Sequence, residues 1–388
     1  MDTSQKMKRK ILLYLESRAS YSYALPLINL LKKNKKNVVF KTIVTGMHLE
    51  KEFGSTICEI QKDKVKTDFK LKFLKKKNWS YSIGQQTIKC TEIINKFNPD
   101  IVVLFGDRVE LVPVSISCAY SGTVIAHVQA GDKSGHIDDM TRMMLAKVSH
   151  IHLPSNEESK KRLIKLGEQS FRIFKVGAPQ LDGINYSELI KAKYTFIKNK
   201  KFELKKEKFI VLIQHPVFVD RKNYKKIFLK TLNACLYFDY KIIIIYPNYD
   251  PGYKLIVQTI KNINKKEKKV ILFKNLERSK FLRLLINAKC LVGNSSCGLL
   301  EAPTLKVGVV NIGDRQDGRE RNLNIVDCNH SEKEIKQKIK FVIGNSKFKK
   351  KLKYIKNFYG DGNSSPKILK ILLSIKINKK LINKKTTY

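Results

Sequence analysis

Two successions of six short apolar runs, separated by longer segments of helical spacing, restrict this chain to a narrow set of folds. The first succession is 11–15, 38–44, 101–105, 124–128, 151–153 and 174–176. The second is 209–213, 241–246, 270–273, 290–292, 307–312 and 323–326. Runs such as IVVLF at 101–105 are apolar at every position, which a strand requires when both its faces are covered. Helical spacing falls near 22–33, 83–97, 108–120, 138–149 and 156–167, then near 224–238, 253–264, 279–288, 298–305 and 332–346. Strand and helix in alternation predict parallel sheets with helices on both faces. The pattern restarts after the Lys-rich interval 186–208. The expected organisation is therefore α/β, with two Rossmann-like doubly wound domains facing a cleft: 1–185, 186–360, and a C-terminal helix and basic tail at 361–388. The helix is expected to pack back on the first domain, and the tail beyond about Lys376 to fray. A chain of 388 residues is long enough to bury two cores.

The formal net charge is +43, from 77 Lys and Arg against 34 Asp and Glu. A surface of that sign attracts polyanions, but the lysines are spread between the apolar runs with Asn and Ile. No zinc-finger, helix-turn-helix or RNA-binding pattern accompanies them. A genome-wide bias towards Lys, Asn and Ile codons accounts for the charge better than nucleic-acid binding does. No run reaches the roughly 18 apolar residues that span a bilayer. The start, MDTSQKMKRKILLYL, imitates a signal peptide, yet its apolar run stops at Glu16 without a small-residue cleavage site. It reads as a first strand. The seven cysteines are scattered without metal-ligand spacing, so a cytoplasmic protein with reduced thiols is expected.

Polar residues gather just past the strands, where open α/β sheets bind ligands. Arg18 follows the first run and Gly106-Asp107-Arg108 the third. Gln129 and Asp132 follow the fourth, leading into GHIDDMTR with Asp138, Asp139 and Arg142. Asp107 serves either as an N-cap for a helix starting near Arg108 or as a proton-handling acid. Asp138 and Asp139 likewise either stabilise a helix start, with Asp138 paired to Arg142 at i+4, or handle protons. In the second half, His215 follows a buried run and precedes proline, and Asn248 lies in YPNYDPG. His127, His150 and His152 read as packing or capping residues; His136, beside the acids, is a weaker candidate. GNSSCGLLEAP, 293–303, places glycines and hydroxyls between a strand and a helix, so that backbone N–H groups and Ser295 and Ser296 can meet an anion. Glu301 can accept two hydrogen bonds from a sugar diol. The alternative is a simple Ser/Gly helix start. GDRQDGR adds Arg315, Gln316 and Arg319; two arginines beside a phosphate loop suit a diphosphate. Neither a Walker loop nor GxGxxG is present.

Taken together, these motifs resemble the UDP-N-acetylglucosamine 2-epimerase family, in particular its hydrolysing branch. SRASY, GDRVE, AHVQAGDKSGHIDDMTR, KVSHIHL, VGAPQLD, QHPV, YPNYDPG, GNSSCGLLEAP, NIGDRQDGR and YGDGNSSPKI carry the likeness from Ser17 to Ile368. The resemblance implies a glycosyltransferase-B-like pair of domains with a nucleotide sugar between them. Ser295, Ser296 and Glu301 would meet phosphate and ribose, with Arg315, Gln316 and Arg319 alongside. His215 would lie near the diphosphate, and Arg18 would reach across. Arg108, Gln129 and Asn248 join them as substrate contacts. The acids Asp107, Asp132, Asp138 and Asp139 would surround the sugar, with Arg142 orienting Asp138. Departures fall at Glu16, Ser20, Asp132 and Met143, and bear on the sugar more than on the fold. Gln129 replaces the glutamate of the non-hydrolysing branch.

The implied reaction is elimination of the nucleoside diphosphate to a 2-acetamidoglycal, then hydration to the free 2-epimeric sugar. UDP-N-acetylglucosamine or UDP-N,N'-diacetylbacillosamine is the implied substrate, and no metal or other cofactor is required. The expected assembly is a homo-oligomer, dimer or tetramer, with no nucleic-acid or membrane partner. A non-hydrolysing 2-epimerase is the alternative, and a glycosyltransferase of the same fold or a plain polyanion binder are more distant ones.

Overall fold

The computed structural model describes residues 7–50, 56–72, 79–133, 138–197, 200–217, 223–247, 252–264 and 267–387. The chain divides into two compact units. The first comprises 1–132, 137–183 and 359–388; the second comprises 133–136 and 184–358.

The first unit is built on β1 (Arg9–Leu15), β2 (Val38–Thr45), β3 (Phe69–Leu71), β4 (Ile101–Phe105), β5 (Val124–Val128) and β6 (Ile151–Leu153). They form one sheet in the order β3-β2-β1-β4-β5-β6, with every recorded pairing parallel. β4 and β5 are buried at every residue because helices cover both faces. On one side lie Ala24, Leu27, Ile28 and Leu31 of the helix Arg18–Lys33, with Ile368 and Leu372 of the helix Ser364–Ser374. On the other lie Cys90 and Ile94 of the helix Trp79–Phe97 and Leu111, Val114 and Cys118 of the helix Leu111–Tyr120.

In the second unit, β7 (Tyr194–Ile197) and β8 (Lys200–Glu203) form an antiparallel hairpin. The main sheet holds β9 (Phe209–Ile213), β10 (Lys241–Ile245), β11 (Val270–Phe273), β12 (Leu291–Gly293), β13 (Val309–Ile312) and β14 (Ile325–Cys328). Its order, β11-β10-β9-β12-β13-β14, repeats that of the first. Each sheet therefore reverses direction beside the strand that comes first in sequence, between β1 and β4 and between β9 and β12.

Three sequence expectations are corrected, and one helix start is sharpened. Phe174–Val176 is not a strand; only an isolated bridge, Ile173 with His152, pairs there. β3 and the β7–β8 hairpin lie in Lys-rich stretches read as loop or junction. The helix expected from 156 is capped by Asn156, whose Oδ1 accepts from Ser159 N at 2.9 Å. Finally, the C-terminal tail is tied down. Arg172, fully buried, donates to the carbonyls of Lys380, Leu381 and Asn383. Lys384 pairs with Glu168 at 2.7 Å, and Glu168 also meets His152 at 2.9 Å. Buried cations need carbonyl or carboxylate partners, and here the tail supplies some of them.

Candidate active site

In the first unit the polar residues stand at the carboxyl ends of β1, β4 and β5, around the reversal point where open α/β sheets bind ligands. Gly106 follows β4, and its carbonyl accepts from His127 Nε2 at 2.6 Å. Burial pushes His127 down to about 3, so the ring is neutral and its Nε2 carries the proton. His127 is thus a packing histidine with a use: it fixes the loop that presents Asp107.

Asp107 does not cap the next helix. That helix begins at Leu111, with Glu110 in the cap position. Its carboxylate instead meets Arg142, a guanidinium only 4 % exposed on the helix Asp138–Val148. Arg142 Nη1 donates to Asp139 Oδ1 at 2.9 Å and to the carbonyl of Asp132 at 3.0 Å. The expected i+4 pairing with Asp138 is replaced by an i+3 pairing with Asp139. Asp132 Oδ1 accepts from Ser159 Oγ at 2.7 Å. One buried cation therefore binds groups from the ends of β4 and β5 and from the first turn of the helix. Gln129, in left-handed backbone at φ 61, donates to Gln180 at 3.2 Å. His136 lies outside the described residues.

Arg108 forms a fork onto Glu110, Nε to Oε2 at 3.2 Å and Nη2 to Oε1 at 3.3 Å. Arg18 opens its helix behind Ser17, whose side chain accepts from Ser20 N. Near Arg108 and Glu110 is a group that sequence reasoning noted only as a departure. Glu16 is 1 % exposed and its Oε2 has no hydrogen-bond partner among the described residues. Burial first, and Glu110 second, push its carboxyl up to about 8, opposed by Arg108 and Ser20.

In the second unit the corresponding loops follow β9, β12 and β13. Gly293 has φ +127, and a Cβ there would stand 2.0 Å from the carbonyl oxygen of Ile213. Only glycine permits β12 to end so close to β9. The next residue, Asn294, is buried and ties three loops together. Its Oδ1 accepts from His215 N at 2.7 Å and its Nδ2 donates to His215 O at 2.9 Å. Its own carbonyl accepts from Arg315 Nη1 at 3.2 Å and Gln316 Nε2 at 2.8 Å. Arg319 Nη1 donates to Gln316 Oε1 at 3.0 Å. Sequence reading passed over Asn294 between Gly293 and Ser295, although a buried amide there is the keystone of the loop cluster. Asn294→Ala leaves the His215 N–H and C=O without these partners, at about 1–3 kcal/mol each. A lowered denaturant midpoint for the second unit is the expected result, and an unchanged midpoint would contradict this account.

Ser296 occupies the cap position of the helix Cys297–Thr304 without a side-chain capping bond. The simple helix-start reading thus gives its hydroxyl no capping role. Ser295 Oγ accepts from Cys297 Sγ at 3.2 Å. Glu301, 7 % exposed, faces Arg278 at 3.5 Å. Burial pushes its carboxyl up while Arg278 draws it down. Asn248 lies outside the described residues. Among the described residues there is no cluster of acids, histidines and cysteines able to hold a metal ion, and no helix long and apolar enough to cross a membrane.

Comparison with known proteins places these loops in context. Residues 31–373 match the family model of UDP-N-acetylglucosamine 2-epimerase. The UDP-N,N'-diacetylbacillosamine 2-epimerase (hydrolyzing) of Legionella pneumophila is 32 % identical over 98 % of this chain and 100 % of its own. The GDP/UDP-N,N'-diacetylbacillosamine 2-epimerase (hydrolyzing) of Campylobacter jejuni is 33 % identical over 82 % of this chain and 84 % of its own. The crystal structure of UDP-GlcNAc 2-epimerase from Neisseria meningitidis bound to UDP-GlcNAc shares the fold. Its TM-score is 0.79 at 20 % identity, over 94 % of this chain and 100 % of that one.

Proposed function

Because the chain belongs to the UDP-N-acetylglucosamine 2-epimerase family and to its hydrolysing branch, we propose that it converts a UDP-linked 2-acetamido sugar to UDP and the free sugar inverted at C2. UDP-N-acetylglucosamine would give N-acetylmannosamine; UDP-N,N'-diacetylbacillosamine would give the 4-acetamido-6-deoxy analogue. We favour the second, since the relatives at 32 % and 33 % identity carry that sugar in their names.

The observation that carries the reading is the gathering of Asp107, Asp139 and the Asp132 carbonyl on buried Arg142. In this scheme a carboxylate from the set Asp107, Asp132, Asp138 and Asp139 takes the proton from sugar C2. The C–H electron pair forms the C1=C2 bond as the C1–O bond to the diphosphate breaks, leaving a 2-acetamidoglycal. Water then adds, hydroxyl to C1 and hydrogen to the opposite face of C2. Carboxylates held at different burial and beside different charges can divide base and acid duties. Arg18, Arg108 and Gln129 contact substrate in this reading. His215, Ser295, Ser296, Arg315, Gln316 and Arg319 take the charge that grows on the leaving diphosphate, and Glu301 accepts from the ribose.

Incubating the protein with each nucleotide sugar and following products by proton NMR tests the reading. Release of UDP with a free reducing sugar, without any acceptor, is expected. An equilibrium mixture of two intact nucleotide sugars would overturn hydrolysis, and turnover only with an added acceptor would establish a glycosyltransferase.

A further inference from the structure

Glu301 differs from the other groups of the second unit's loop cluster in being a buried acid that faces a cation on another helix. It lies on the helix Cys297–Thr304, and its charged partner, Arg278, is the first residue of a different helix, Arg278–Asn287. Arg278 Nη1 stands 3.5 Å from Glu301 Oε1, with the arginine side chain 30 % exposed and the acid 9 %. Cys297, one turn earlier on the same helix, feels the charge of Glu301, and burial pushes its thiol up to about 12, which leaves it uncharged. A desolvated carboxyl with no cation would keep its proton, and a protonated carboxyl offers a donor where a ligand hydroxyl needs an acceptor.

We propose that Arg278 is a positioning residue: it orients and charge-balances Glu301 as an acceptor for the adjacent 2′- and 3′-hydroxyls of a nucleotide ribose, so that the site selects ribonucleoside over 2′-deoxyribonucleoside diphosphates. This rests on the nucleotide-sugar reading above and adds to it a residue and a selectivity. The vicinal diol is the part of a nucleoside diphosphate with two neighbouring hydroxyl donors, and an ionised carboxylate has an acceptor oxygen for each. Arg278 supplies the charge balance without donating to the ligand.

Calorimetric titration of the full chain with UDP and with 2′-deoxy-UDP, at pH 6.5 and pH 8.5, tests the proposal. The native protein is expected to prefer UDP by about tenfold or more at both pH values, as losing a hydrogen bond to a charged group implies. In Arg278→Gln the preference should shrink to within about threefold at pH 6.5, and recover as pH rises and Glu301 ionises. Taking the ratio of the two ligands cancels the diphosphate's own titration. Arg278→Lys keeps a cation and should keep the preference at both pH values, which separates charge balance from a general loss of folding. If Arg278→Gln discriminates like the native protein at both pH values, the positioning role is overturned while the nucleotide reading stands. If the native protein binds neither ligand, the nucleotide reading itself falls, and this inference with it.

Discussion

Arg142→Met is expected to lower kcat by about 10³-fold, within the range that proton-handling and electrostatic groups command. Arg142 is 4 % exposed and brings together groups that the chain keeps far apart in sequence: Asp107, Asp139 and the carbonyl of Asp132. Methionine fills the same volume but leaves two carboxylates facing one another without the intervening charge. The loop after β4 then loses its anchor. Removing one partner of a buried charged set also costs about 3–5 kcal/mol of stability. Arg142→Lys separates the two consequences. Lysine restores the charge but cannot reproduce the fork that spans Asp107 on one nitrogen and Asp139 on the other. Stability should return towards native while kcat stays depressed by about 10²-fold. Steady-state release of UDP, with denaturant melts of the same samples, reads both effects. A methionine variant turning over within tenfold of native would sink the assignment of Arg142 to the reacting groups.

The contrast between Asp138 and Asp139 shows where sequence reading stops. That carboxylates lie near an arginine in GHIDDMTR is plain from the string, and both i+3 and i+4 spacings are within reach on a helix. Which acid is chosen depends on how the helix is rotated against β4 and β5, and that is fixed by Thr141, Leu145 and Ala146 packing inward. The strands were legible for a related reason. Doubly covered parallel strands must be apolar throughout, so IVVLF and VIAHV announce themselves. Edge strands carry no such requirement: β3 is only Phe-Lys-Leu with a partly exposed pattern. The hairpin β7 alternates exposed Tyr194 and Phe196 with buried Thr195 and Ile197 inside a lysine-rich stretch. Phe174–Val176 failed the opposite way: its backbone N–H groups reach the carbonyls of His152 and Pro154 beside β6, but Phe174 is only half-buried, Lys175 is exposed and no strand forms. Partnerships made across loops, such as Asn294 with His215 or Arg278 with Glu301, have no local signature at all. They become visible only when the sheet order is known.

The second large effect concerns stability and pH. Glu16 directly follows β1 inside the first unit, with its carboxyl pushed up to about 8 by burial and by the charge of Glu110, against the pull of Arg108 and Ser20. Tyr14 on β1 is raised far enough by burial to stay neutral. In the unfolded chain Glu16 titrates in the ordinary carboxylate range, near 4.5. Between that range and about 8 the folded state holds a proton that the unfolded state has released, so stability falls as pH rises. The contribution is fully present below the unfolded value and lost by the time pH passes the folded one. Glu16→Gln removes the titration while its amide oxygen still accepts from Ser17 Oγ, which bonds Glu16 Oε1 at 3.1 Å in the native chain. The variant should therefore match native stability near pH 4 and exceed it by about 3–5 kcal/mol at pH 8, from roughly 1.4 kcal/mol per pH unit across the window. Titrations that are not coupled to Glu16 act equally on both proteins and cancel in the difference. Denaturant melts at intervals from pH 4 to pH 9 measure it, and parallel stability curves for the two proteins would show that Glu16 is ionised in the folded chain after all.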